Sequence, residues 1–210
     1  MEALFPSHSW NLCEREPFKI PQVMRLKEIN PDFVFWGTLW GLSEIFVWKL
    51  LGILHVSMKA PIMAMVAMLF LAASSEGKPL KALYTAVVAI SIKVFAGVYF
   101  FCSVWAVLSL AIAWELMRFV AHRFPSARIP VYALSAPLGM LMFILYRNPD
   151  PLAIVSYAGV NGFIAFLLSI PAIYFGEKLG RRARLSPMAI GTVYVFAVVV
   201  VVIYGWVLKG

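Results

Sequence analysis

Charge is what this chain has least of. Asp and Glu together number 10 among 210 residues, and all charged residues make up 13%, where a soluble domain carries about 25%. With 62% of the residues hydrophobic and a mean hydropathy of +0.87, too few polar groups remain to cover a water-soluble core. The reading is an all-α, polytopic membrane helix bundle, because only helices satisfy their own backbone polar groups in lipid.

Cysteine is nearly absent too. Cys13 and Cys102 match no metal-ligand spacing and fall on opposite sides of the membrane in the parse below, so no disulfide is expected between them. Histidine is equally scarce: His8, His55 and His122 cannot supply a multi-histidine metal centre or a bis-histidine haem site. No Walker loop, nucleophile elbow, HExxH or GxGxxG fingerprint occurs. No cofactor is expected, and no ATPase, hydrolase or redox chemistry. Glu2, Glu14, Glu16 and several prolines interrupt any secretory signal at the N-terminus.

Basic residues exceed acidic ones, for a net charge of +8. In a soluble protein this would suggest nucleic acid; here it reads as loop charge on the cytoplasmic side of a bilayer. Residues 1–31, punctuated by Pro6, Pro17, Pro21 and Pro31, form a cytoplasmic or interfacial segment with an amphipathic stretch after Pro21. Residues 32–210 form one transmembrane domain.

Seven apolar spans follow: Phe33 to Leu54, Pro61 to Ser74, two from the continuous run Ala82 to Ala121 split near Gly97 to Ser103, Val131 to Tyr146, Leu152 to Phe175, and Met188 to Leu208. Six is the alternative count, if the 82–121 run is a single span. Between them, His122 to Pro130 and Gly176 to Pro187 read as basic inner loops. Placing the N-terminus in the cytoplasm puts thirteen of the 18 Lys and Arg on inner segments and three on outer ones, the bias of the positive-inside rule. This bias implies a multi-pass protein of a cell membrane with its N-terminus in the cytoplasm.

The informative stretch is Gly37 to His55, GTLWGLSEIFVWKLLGILH. At about 100° per residue, Gly37, Gly41, Glu44, Trp48, Gly52 and His55 share one helix face. An ionisable group at membrane depth costs roughly 2.5–3.5 kcal/mol and marks a site by default. Glu44 is therefore expected to be buried and either paired, with Lys49 or Lys93, or protonated. Gly37 and Gly41 make a G-x-x-x-G face for close helix approach, to a partner in this chain or in another subunit. His55 with Glu44 is the metal-ligating set to consider. Trp48 could stack on a bound ring, and Asn161, beside Gly159 and Gly162, could line a cavity or bond across helices.

The run WGLSEIFVWKLLGILHVSMKAPIMA from Trp40 to Ala64, with Lys93 and the WEL of Trp114 to Leu116, resembles the substrate-binding S components of energy-coupling factor transporters, over about residues 36–120. The resemblance implies a vitamin or metal-ion substrate, a pocket lined by Glu44, Trp48 and Lys93, and a gate at His55 to Lys59. It also implies docking through Gly37 and Gly41 to a membrane coupling subunit, driven by separate ATPases. Six helices are usual there, so a seventh is a departure. The leading expectation is a transporter-type substrate-binding subunit, with Glu44, Trp48, His55, Lys93 and Asn161 as its site. The rival is a non-catalytic subunit assembling a larger membrane complex, and a membrane enzyme using Glu44 and His55 as acid and base comes last. Other membrane subunits, a small solute or ion and the lipid bilayer are the expected partners; nucleic acid is not.

Overall fold

The structure, a computed structural model, describes residues 31–75, 78–97, 101–147, 150–183 and 185–207. The N-terminal segment expected to lie on the membrane falls, through residue 30, outside the described residues. Those described are helical, with no strand among them. The elements are α1 (Asp32–Ile53), α2 (Lys59–Ser75), α3 (Lys81–Phe95), α4 (Phe101–Arg123), α5 (Arg128–Ala133), α6 (Ser135–Arg147), α7 (Pro151–Ile154), α8 (Gly162–Arg182) and α9 (Pro187–Val207). A π-helical segment, Val155–Asn161, joins α7 to α8.

Four helical stretches are long and apolar enough to cross a membrane: 103–123, 125–147, 155–182 and 187–206. Lys59–Ser75 is apolar but shorter. The 82–121 run is two helices, broken where Gly97 takes φ 73°; glycine enters that left-handed region without a Cβ penalty.

Two expected loops are largely helical. Gly176 to Arg182 continues α8, because Gly176 and Gly180 are packing residues rather than turn residues. A Cβ on Gly176 would meet the Leu69 carbonyl oxygen and, at 2.9 Å, the Ala72 Cβ; one on Gly180 would meet the Ala73 carbonyl oxygen. The segment expected as a loop at 122–130 is instead the end of α4, a 3₁₀ turn at Pro125–Ala127 and the start of α5.

Small residues govern the packing. Lipid tails are as apolar as leucine, so helices associate in a membrane through close contact rather than through exclusion of water. Ala72 and Ala73 face the two α8 glycines, and Gly139 lets α6 onto Leu110 of α4. The main core gathers Trp40, Met68, Leu71, Ala86, Ala89, Val107, Trp114 and Ile173. A smaller one, around Ile45, Ile92, Ala197 and Val201, seats α9 on α1 and α3. The rest of α9 turns Val195, Phe196, Val199, Ile203 and Trp206 outward, the apolar exterior of a lipid-facing helix.

Candidate functional site

The α1–α3 contact begins at Gly37 and Gly41. A Cβ on Gly37 would lie 2.6 Å from the Thr85 carbonyl oxygen, and one on Gly41 2.7 Å from that of Ala89. These contacts correct the expectation that the two glycines dock another subunit: α3 of the same chain occupies that face. The close approach brings the next polar residue of each helix together.

Lys93 Nζ donates to Glu44 Oε2 at 3.1 Å and to the Ser103 carbonyl oxygen of α4 at 3.3 Å. Trp40, one turn below Glu44, donates its indole N–H to Oε1 at 3.2 Å. Trp40 is 0% exposed and Lys93 2%. Both carboxylate oxygens are therefore engaged, and α1, α3 and α4 meet at the Lys93 ammonium. Lys49, the other candidate cation, rests its ammonium 4.8 Å from the Tyr204 ring centroid, tying α1 to α9. Glu115 makes a comparable fixture at the opposite end. It accepts from the Ala82 backbone N–H at 3.2 Å, so a carboxylate sits at the N-terminus of α3 where backbone donors lack helical partners. It also accepts from Arg118 Nε at 2.9 Å.

The upper part of the predicted stripe does not join this site. Trp48 is 50% exposed, and its ring lies 5.8 Å from the Lys59 ammonium. His55 is exposed, beyond the end of α1, with φ 53°. Length explains the split: α1 has 22 residues and α3 has 15, so α1 outruns its neighbour by about 10 Å at 1.5 Å per residue. Beside Glu44 α3 is still the partner helix, and at the level of Trp48 it has ended.

Glu44 and His55 also fail as joint metal ligands, since eleven residues of rise separate them by about 16 Å. No group of three or more His, Cys, Asp or Glu side chains is placed to hold a metal among the described residues. Asn161, half-buried at the end of the π-helical segment, makes no hydrogen bond to Glu44 or Lys93.

Two contributors escaped the sequence reading. Trp40 was legible, because it stands four residues before Glu44 on the same helix. Tyr157 was not, since a π turn shifts the register on which face assignments rest. It packs 5.9 Å from Phe143 and lies within electrostatic reach of Glu44 and Arg147. Comparison with known proteins adds no name to this geometry: no family, curated protein or solved structure matches the chain.

Proposed function

We propose that this chain is the membrane-embedded substrate-binding subunit of a transporter, similar to an energy-coupling factor S component. It would cross the inner membrane of a prokaryote seven times from a cytoplasmic N-terminus and work with separate coupling and ATPase subunits. The observation that carries the reading is the cluster of buried Trp40 and Lys93 around half-buried Glu44. A charged pair inside an apolar bundle is costly and is most readily retained where a polar solute or ion must be received. Tyr157 lies within electrostatic reach of Glu44, Trp48 and His55 are exposed, and Lys59 is half-buried; on this reading the last three border the outer mouth.

Mass spectrometry of gently purified protein tests this reading, together with solute uptake by cells carrying the chain. A retained small solute, lost in Glu44→Gln, is the expected outcome. Because Trp48 and His55 are exposed, Trp48→Ala and His55→Ala leave the fold intact and report on the mouth alone. An empty protein whose three variants take up solute like the wild type overturns the reading.

One observation favours a second reading, a non-catalytic subunit of a larger membrane assembly. Both Glu44 oxygens already have donors within the chain, which is also how a purely structural ion pair would be built. Co-purification in a large stable assembly, with no bound solute, supports that alternative.

A further inference from the structure

At the Lys- and Arg-rich end of the bundle, the last turn of α2, Trp114 of α4, α5 and the last turns of α8 line a half-open cavity of about 300 Å³. The sequence builds it in two steps. Gly180 presses α8 against the Ala73 backbone, while α5, only 6 residues long, wedges between α4 and α8 on the other side. The resulting space is at the small end of the range for ligand pockets, roughly 300–1,000 Å³.

Its walls have two characters. One is aromatic: Trp114 stacks on Tyr132 with centroids 4.4 Å apart and planes at 20°. The other is polar. Arg128 of α5 pairs with Glu177 of α8, and Tyr132 lies within reach of both charges and of Glu115 and Arg118. Arg181, one turn beyond Glu177, also lines the cavity and has no ion-pair partner among the described residues. Ser75 lines it as well, 5% exposed, and its hydroxyl makes no hydrogen bond to any described residue. With Glu177 matched by Arg128, the lining carries one uncompensated positive charge, on the exposed Arg181, and the hydroxyl of Ser75 beside an aromatic wall.

We propose that this cavity binds a phosphate ester. Arg181 and the Ser75 hydroxyl donate to the phosphate oxygens, and the organic part of the ester lies along the Trp114–Tyr132 stack. Phosphate suits the donor set because it offers several acceptor oxygens to a guanidinium fork. The same chemistry reaches this end of the bundle from two sources, the headgroup of an anionic phospholipid or a soluble phosphorylated metabolite. The site lies apart from Glu44 and does not depend on the transport reading.

Thermal unfolding of the purified full chain tests the proposal with two probes. One is titration with inorganic phosphate and glycerol 3-phosphate in detergent; the other compares discs of phosphatidylglycerol with discs of phosphatidylcholine. A saturable rise in Tm with the soluble probes assigns the soluble source, and a rise confined to phosphatidylglycerol assigns the lipid. In either case Arg181→Gln weakens the response roughly tenfold, the value of one charge-assisted hydrogen bond. Ser75→Leu, which fills the space, abolishes it, and Arg182→Gln, outside the lining, leaves it unchanged. Absence of any shift with all probes overturns the proposal, and so does a shift that Arg181→Gln and Ser75→Leu leave intact.

Discussion

Lys93 on α3 holds Glu44 on α1 at 3.1 Å, immediately above the point where Gly41 lets the two helices touch. The glycine and the ion pair form one device. Without the close approach, a lysine at this level would have to reach across a side-chain layer. Without the carboxylate, the approach would bury an ammonium whose remaining acceptor is the Ser103 carbonyl. Trp40 completes it by occupying the second oxygen.

The first prediction tests that coupling. Lys93→Met leaves a half-buried carboxylate with only an indole donor, and destabilisation of up to about 3–5 kcal/mol is expected. The double variant Glu44→Gln with Lys93→Met removes both charges and recovers most of that loss. Reversible unfolding in mixed micelles, run as a double-mutant cycle, gives the coupling energy directly. Additive single effects would show that the two groups do not interact.

Much of this was readable in the sequence, for physical reasons. An all-helical membrane bundle follows from hydropathy, because continuous apolar runs of this length suit helices, whereas barrel strands alternate apolar and polar residues. Glu44 and Lys93 stand out because charges are rare at such depth. What the sequence could not convey is which helix is short. The 15-residue length of α3 leaves Trp48 and His55 uncovered, although the wheel puts them on the face of Glu44. The α8 glycines misled for a related reason, since beside Lys178, Arg181 and Arg182 they look like turn residues. Their four-residue spacing, which matches Gly37 and Gly41, was the better signal.

A second prediction follows from those glycines. Gly176→Val places new atoms against the Leu69 carbonyl and Ala72, a backbone wall that cannot rotate away. A loss of at least about 1–3 kcal/mol is expected, as for an overpacked core. Gly159→Ala is the control: its Cβ meets nothing within 4 Å, and the change is neutral or slightly stabilising. Thermal midpoints of the two variants, measured in the same detergent, separate packing glycines from tolerant ones.

His55 supports a third prediction. Its φ of 53° places a side chain in the left-handed region, at a cost of roughly 1–2 kcal/mol relative to a residue without a Cβ. His55→Gly therefore stabilises the fold, while His55→Ala, which keeps the Cβ, does not. Comparing the Tm of both variants separates the backbone effect from the loss of the imidazole. If both variants bind solute as the wild type does, the imidazole has no part in the outer mouth and the residue serves only the turn.

The fourth prediction concerns which end of the bundle faces the cytoplasm. Arg118, Arg123, Arg128, Lys178, Arg181 and Arg182 gather at one end, where α4 and α8 finish and α5 begins. The opposite end has little more than Lys59 and Arg147 to set against them. Loops that stay in the cytoplasm accumulate such charge because its transfer across the bilayer is opposed. Ser57 and Ser126 are exposed at the two ends and suit cysteine labelling, once Cys13 and Cys102 are replaced by serine. In intact cells Ser57→Cys should react with a membrane-impermeant maleimide, while Ser126→Cys should react only after permeabilisation. The reverse pattern would invert the topology: the phosphate-ester cavity would then face outward, and Trp48 and His55 would sit at a cytoplasmic mouth.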